Sequence, residues 1–272
     1  MKTWLITGAS RGFGALIMEA ALAKDAVVAT ARDPSSIADH PRLLKLPLDV
    51  TNEEQARAAA ARGIEKFGRI DVLVNNAGYG LLGAVEEASA IEVERVFATN
   101  VFGLLNVTRA VLPYMRKRRS GHIINMSSIG GYASYPGWGV YCATKFAVEG
   151  ISEALSIELA PLGIHATVVE RGYFRTDFLS AQSLSNTAMR IDDYVDTVGK
   201  MRSFAAAVNH QQPGDPRRLA QAIVQLAAAG KPPTRLALGR DTVARIEEKH
   251  RDVNRELDLW RSVSLSTDFV RA

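Results

Sequence analysis

The 272-residue sequence has a single cysteine, Cys142, and only five histidines. One cysteine cannot form a disulfide within the chain, and we expect a cytoplasmic location, where thiols stay reduced. Neither the cysteine nor the histidines show the spacing of metal ligands, so no metal site is predicted. Because no basic partner for it is evident in the sequence, Cys142 is interpreted as a packing residue and not as a nucleophile.

Long apolar runs and a strong excess of one charge are also missing. No run of about 18 apolar residues is present, so the sequence predicts no membrane span, and the N-terminus lacks the pattern of a secretion signal. The 33 basic and 29 acidic residues leave a net charge of +4 and are interleaved. The one basic cluster, Arg116 to Arg119, falls at a predicted helix end, where the helix dipole favours cations. We therefore expect no nucleic acid partner.

Hydrophobic residues make up 47% of the sequence, which is enough for a sizeable core. Short apolar runs alternate with amphipathic segments along the first two thirds of the chain. The runs are TWLIT, AVVATA, RLLKLPL, DVLVNN, HIINMS and HATVVE, and helical patterns span 13–24, 53–67, 90–118 and 140–159. This alternation predicts the α/β class, with a parallel sheet covered by helices on both faces.

The pattern weakens after Gly172. Residues 174–212 are poorly periodic, and a helix at 218–229, a short strand in RLALG and a charged helix at 241–260 follow. A stretch this long without regular structure is typical of a functional loop. We expect one domain over residues 1–272, with 175–215 as a lid over the substrate and 241–272 as a helical extension.

A glycine-rich turn, TGASRGFG, follows the first predicted strand. Its glycines, Gly8, Gly12 and Gly14, have the spacing G-x-x-x-G-x-G and precede a predicted helix. At such a turn, backbone N–H groups and the helix dipole bind the pyrophosphate of a dinucleotide. Taken alone, the turn is equally consistent with an ordinary tight loop.

Four later stretches occur in a fixed order after this turn: NNAG at 75–78, FATNVFG around Asn100, NMSS at 125–128 and YCATK at 141–145. With TGASRGFG, they resemble the short-chain dehydrogenase/reductase family over about residues 1–240, in particular its NADP-preferring branch of 17-beta-hydroxysteroid-dehydrogenase-like carbonyl reductases. The resemblance implies a Rossmann-type, doubly wound sheet of about seven parallel strands. It also implies NADP(H)-dependent interconversion of a carbonyl and an alcohol, and assembly into a homodimer or homotetramer.

The resemblance assigns catalytic roles to four residues. Tyr141 transfers a proton, Ser128 positions the substrate oxygen, Lys145 lowers the tyrosine pKa and holds the cofactor ribose, and Asn100 holds a relay water. Tyr141 and Lys145 are four residues apart and share a helix face, and tyrosine needs such help because its unperturbed pKa is near 10. Ser127 lies beside Ser128, but the family's spacing to the tyrosine selects Ser128.

The second predicted strand bears on the choice between NAD and NADP. NAD-binding proteins carry an acidic residue there, whereas this chain has Ala31, then Arg32, and a further arginine, Arg11, in the glycine-rich turn. Arginine suits the 2′-phosphate of NADP, and Asp33 is read as the start of a turn. The cofactor-binding residues that the resemblance implies are Gly8, Ser10, Arg11, Gly12, Phe13, Gly14, Arg32, Asp49, Val50, Asn76, Ala77, Gly78, Tyr141, Lys145, Gly172, Phe174 and Thr176.

The chain departs from the family pattern at Arg171. The family usually has a proline immediately before the glycine that corresponds to Gly172. Arginine there contacts the pyrophosphate, points into solvent or weakens cofactor placement, and the sequence leaves these alternatives open. Aromatic residues predict a pocket for a small apolar or aromatic carbonyl or alcohol substrate. They are Tyr79, Tyr135, Trp138, Tyr173, Phe174, Phe178 and Phe204.

Two other functions fit the same motifs. A protein that binds NADP(H) as a sensor or scaffold, without turnover, is compatible with Arg171. An epimerase or dehydratase of the same fold would retain and recycle its cofactor. The presence of Ser128, Tyr141 and Lys145 together favours a dehydrogenase or reductase over a protein that only binds nucleotide.

Overall fold

The computed structural model describes residues 1–269 and contains nine strands in that range. They are β1 Thr3–Thr7, β2 Ala26–Ala31, β3 Leu43–Pro47, β4 Val72–Asn75, β5 Gly80–Leu82, β6 Gly121–Met126, β7 Ile164–Arg171, β8 Leu184–Asn186 and β9 Arg235–Leu238. Seven of them form one parallel sheet in the order β3-β2-β1-β4-β6-β7-β9. The predicted fold class, a doubly wound parallel sheet flanked by helices, is therefore confirmed.

The α-helices are α1 Gly12–Leu22, α2 Glu53–Phe67, α3 Ala90–Phe97, α4 Gly103–Arg118, α5 Gly139–Leu159, α6 Lys200–Val208, α7 Pro216–Ala228 and α8 Arg240–Leu265. Helices α1 and α7 pack together on one face of the sheet, where Ile6, Ile17 and Ile223 are fully buried. Helices α2 and α4 pack on the other face over Leu5 and Ile123. The five inner strands of the sheet are largely buried on both faces, which is why they appear in the sequence as continuous apolar runs, whereas the edge strands β3 and β9 are half-buried.

The strand order reverses beside β1. The chain runs outward from β1 through β2 to β3 and then returns to place β4 on the other side of β1. In open α/β sheets, ligands bind at the carboxyl edge where the order reverses. The turns that follow β1 and β4 therefore border the main crevice of the molecule.

Residues 90–118 form a nearly continuous helical stretch, interrupted by a π-helical turn at Ala98–Phe102. Within residues 1–269 it is the one stretch long and apolar enough to cross a membrane, and half of its apolar window is buried inside the fold. Its α4 part packs against α2 and the strands β4 and β6. Packing against the sheet accounts for its apolar composition.

The structure corrects several predicted boundaries. Helix α7 begins at Pro216 and not at residue 218, because the Asp215 side chain accepts hydrogen bonds from the N–H groups of Arg217 and Arg218 and so caps the helix there. Helix α8 runs to Leu265, beyond the predicted end at Trp260. The last three residues of the predicted extension lie outside the described residues.

The poorly periodic stretch holds structure that the sequence pattern did not predict. Strand β8 pairs in parallel with β5, and helix α6 follows. A buried ion pair fastens this stretch to the body of the molecule: Arg202 lies 2.6 Å from the carboxylate of Glu87, whose other oxygen accepts the Ile191 N–H. Three-residue strands are too short to show a periodic pattern, so β5 and β8 could not be recognised from the sequence.

Candidate active site

The glycine-rich turn connects β1 to α1 at the main crevice. Gly8 and Gly12 have φ angles of 66° and 57°, which non-glycine residues rarely adopt. A Cβ on Gly14 would lie 2.2 Å from the carbonyl oxygen of Gly8, so no larger residue fits. The amide of Asn76, at the end of β4, donates to the Thr7 and Gly8 carbonyls and ties the turn to the neighbouring strand.

A groove of about 610 Å³ opens in front of this turn. Twelve of the predicted cofactor residues line it: Gly8, Ser10, Arg11, Gly12, Phe13, Arg32, Asp49, Val50, Asn76, Ala77, Gly78 and Thr176. Its volume is within the range of small-molecule and cofactor sites, and the tight glycine turn lets a phosphate approach the backbone. The groove therefore fits a nicotinamide dinucleotide.

The remaining predicted cofactor residues lie elsewhere. Gly14 lies behind the turn, against Gly8. Gly172 and Phe174 line a smaller pocket beyond the groove. Tyr141, at the wall of that pocket, and Lys145 are buried on α5.

The chain just after β2 carries a charged side chain at the groove wall. Ala31 is buried, and Arg32 is exposed at the groove wall. The Asp33 carboxylate accepts the Ser35 N–H at 2.9 Å and so stabilises a turn, as predicted. Hydrogen bonds from the Ser35 side chain and from its N–H lower the Asp33 pKa. Arg11 donates to the carbonyl oxygen of Gln182, across the groove.

Tyr141 and Lys145 lie one turn apart on α5, at 4% and 6% exposure. The Lys145 Nζ donates to the carbonyl oxygen of Met126 at 2.9 Å and lies 5.8 Å from the centre of the Tyr141 ring. The Tyr141 hydroxyl is buried and has no hydrogen-bond partner. The Oγ of Ser128 accepts the Gly130 N–H and lies at the pocket wall, whereas Ser127 is fully buried and faces away from the pocket, toward Glu149.

Burial dominates the electrostatics of these two side chains. It raises the pKa of Tyr141, and Arg171 is the largest opposing influence. Lys145 is not among the largest influences on this pKa, and the lowering expected from Lys145 beside a bound nicotinamide stays a prediction. Burial also lowers the pKa of Lys145 to about 7, with a further lowering from Arg171.

Asn100 lies in the π-helical turn and is buried against Gly78. Its amide donates to the Tyr79 carbonyl at 2.9 Å and to the Thr144 hydroxyl at 3.1 Å, and its oxygen accepts the Tyr79 N–H. The side chain thus joins the turn after β4 to α5. A π-helical turn frequently marks a functional position.

The smaller pocket has a volume of about 60 Å³, and six of its 14 wall residues are aromatic. Five of the predicted pocket residues line it: Tyr135, Trp138, Tyr173, Phe174 and Phe178. Tyr79 lines the groove, and Phe204 is half exposed with its ring against Tyr173. Cys142 also lines the pocket, where burial raises the pKa of its thiol, as expected for a packing residue.

Arg171 is the last residue of β7 and lines both the groove and the smaller pocket. Its guanidinium carbon lies 4.8 Å from the centre of the Phe13 ring and 5.0 Å from that of Phe178. The sequence left three alternatives open for Arg171, and these ring contacts rule out a side chain that points into solvent. Within residues 1–269, no cluster of three or more metal-ligating side chains is present.

Comparison with known proteins places this site in a family. Residues 2–186 match the family model for short chain dehydrogenases. A 3-ketodihydrosphingosine reductase of Bacteroides thetaiotaomicron is 43% identical over 237 residues, which are 86% of this chain and 87% of the relative. The chain belongs to the short-chain dehydrogenase/reductase family of oxidoreductases.

Solved structures agree with this assignment. A short-chain dehydrogenase from Streptomyces avermitilis superposes with a TM-score of 0.92, at 42% identity, over 98% of this chain and 99% of that one. ElxO with NADP bound is 28% identical, with a TM-score of 0.73 over 89% and 99% of the two chains. A 3-ketoacyl-(acyl-carrier-protein) reductase from Brucella melitensis complexed with NADH is 26% identical, with a TM-score of 0.72 over 87% and 96%. Similar proteins therefore bind either cofactor.

Proposed function

We propose that this protein is an NADP(H)-dependent reductase that interconverts a ketone or aldehyde and an alcohol. The observation that carries the proposal is the position of the Tyr141 hydroxyl. It is unpartnered at the wall of an aromatic pocket, beside Ser128 and close to the dinucleotide groove. A buried hydroxyl without a partner is costly unless a ligand completes its hydrogen bonding.

The chain's own residues account for the proton chemistry. Bound NADPH would supply the hydride. The Tyr141 hydroxyl donates its proton to the substrate oxygen, and the Ser128 hydroxyl holds that oxygen in place. Lys145 would hold the cofactor ribose and would stabilise the tyrosinate that remains. Asn100 fixes the turn at Gly78 against α5, and a water on this amide would link Lys145 to solvent.

The choice of NADP over NAD rests on charge. Arg32 is exposed at the groove wall, and its neighbour Ala31 leaves no carboxylate at the end of β2. A planar guanidinium donates paired hydrogen bonds to a phosphate. Arg11 is a second candidate for the same phosphate from the glycine-rich turn.

Cofactor consumption with a panel of apolar and aromatic ketones tests the proposal. NADPH should be oxidised with at least one class of ketone, and NADH should be oxidised much more slowly. Tight NADPH binding without turnover across the panel would instead identify a sensor or scaffold. A cofactor that stays bound and is recycled would identify an epimerase or dehydratase.

A further inference from the structure

Several residues that line the aromatic pocket carry buried polar atoms without hydrogen-bond partners. Four residues of its wall each carry a buried side-chain atom without a hydrogen-bond partner: Nε1 of Trp138, the hydroxyl of Tyr141, Nε of Arg171 and Oε1 of Gln212. Three of these atoms are donors. Buried donors without partners are rare in folded proteins, so the pocket is suited to a ligand that carries several acceptor oxygens close to an apolar body.

The charge in this pocket is positive and uncompensated. Arg171 is the only charged residue that lines it, and no carboxylate is among its lining residues. Within residues 1–269, no acidic side chain lies within ion-pair distance of the Arg171 guanidinium. The carboxylate of Asp241 lies against Gly172 of the pocket wall and accepts the Tyr173 N–H at 2.7 Å.

The guanidinium is held in place by aromatic rings. Phe13 and Phe178 each lie within about 5 Å of it, a distance typical of cation–π contacts. Phe178 also lies beside Tyr141, with ring centres 5.8 Å apart. Arg171 is thus held at the boundary between groove and pocket, close to the atom that would transfer the proton.

On the basis of the function proposed above, we propose that Arg171 binds a carboxylate of the substrate, and that the enzyme acts on oxo acids. The carboxylate would lie next to the reacting carbonyl, and only part of the apolar or aromatic body would fit against Trp138 and Phe178, because the pocket has a volume of about 60 Å³. Arginine binds carboxylates through two parallel hydrogen bonds. An ammonium group in the same position would face the Arg171 cation without a counter-charge, so ammonium-bearing ketones are expected to be poor substrates.

Four ketones with one phenethyl body test this inference: benzylpyruvate, its methyl ester, benzylacetone and aminomethyl phenethyl ketone. In Arg171→Met, the side chain keeps its length but loses its charge. We expect kcat/KM for benzylpyruvate to fall about 30-fold, as for loss of a charged hydrogen bond. Benzylacetone and the ester should lose at least about 10-fold less than benzylpyruvate, because the effect of Arg171 on the Tyr141 pKa is common to all of the ketones. Arg171→Lys, which keeps the charge without the planar fork, should retain part of the preference.

Equal losses for benzylpyruvate and benzylacetone in Arg171→Met would overturn the inference and leave the proposed function intact. A loss of NADPH affinity as large as the loss for benzylpyruvate would also overturn the inference, because it would identify Arg171 as a cofactor residue. If the wild-type protein reduces no ketone of the wider panel, the proposed function fails, whereas reduction of other ketones without benzylpyruvate overturns the carboxylate inference alone. Isothermal titration calorimetry of benzylpyruvate with the NADPH-loaded Tyr141→Phe protein then tests the carboxylate site without turnover. Binding that disappears on adding Arg171→Met supports the carboxylate site, and unchanged binding contradicts it.

Discussion

Lys145 and Tyr141 lie one turn apart on α5, with the Lys145 ammonium 5.8 Å from the centre of the Tyr141 ring and both side chains buried. The Lys145 ammonium is therefore stabilised by little more than one hydrogen bond, to the Met126 carbonyl. Burial of this cation lowers the free energy of unfolding. The protein keeps the cation buried because the site uses it. The cost depends on pH, because deprotonation relieves it.

Lys145→Met should stabilise the protein, and more so in acid. The folded-state pKa of Lys145 is lowered from 10.5 to about 7, so the folded chain binds fewer protons than the unfolded chain between these values. Wild-type stability should therefore rise with pH across that window, and the burial cost is complete below about pH 7. We expect the gain from Lys145→Met to be about 2 kcal/mol larger at about pH 6 than at about pH 9 in urea unfolding. The exposed Lys66→Met is the control, and an equal gain at both pH values would contradict this account.

Loss of the Arg202 side chain should loosen the stretch between β8 and α6. Glu87 is fully buried, and removing its charged partner leaves an uncompensated carboxylate. We expect Arg202→Met to lower the free energy of unfolding by about 3 kcal/mol. Lys200→Met removes an exposed ion pair with Asp196 and should change it by less than about 0.5 kcal/mol. Similar effects of the two variants would show that the buried pair does not anchor this stretch.

Acid should weaken the same anchor. Burial raises the pKa of Glu87, but hydrogen bonds from Arg202, Ile191 and Ala84 outweigh it and lower the pKa to about 2. Because the pKa of Glu87 is lower in the folded chain than in the unfolded chain, its carboxylate adds to the free energy of unfolding. This contribution is complete above the unfolded-state pKa of 4.5 and is lost as the pH falls toward 2. Glu87→Gln should therefore flatten the acid limb of the stability profile, as measured by urea unfolding between about pH 5 and pH 2. An unchanged acid limb would contradict the prediction.

Arg32→Ala should weaken NADPH binding while leaving NADH binding nearly unchanged. The expected loss is about 10-fold in Kd, the value of one charge-assisted contact to the 2′-phosphate. Isothermal titration with each cofactor measures it. Arg62→Ala, an exposed arginine on α2 paired with Glu65, should affect neither Kd. Equal losses for NADPH and NADH would show that Arg32 does not recognise the extra phosphate.

The sequence predicted the parts of the site that local patterns encode. The Gly8–Gly14 turn and the pairing of Tyr141 with Lys145 follow from spacing within a few residues. Contacts between distant segments place Gly172 and Phe174 in the pocket. Such contacts also hold Arg171 between the rings of Phe13 and Phe178, and neither arrangement follows from local spacing. The raised pKa of Tyr141 could not be predicted either, because the desolvation that causes it depends on packing around the whole ring.

The Tyr141→Phe variant removes only the hydroxyl that is proposed to transfer the proton. NADPH oxidation should be measured with the best ketone for the wild-type protein, together with the Kd of NADPH. Turnover should fall at least about 100-fold, the contribution typical of a general acid, while the Kd of NADPH changes little. A Tyr141→Phe protein that retains wild-type turnover would contradict proton transfer by Tyr141.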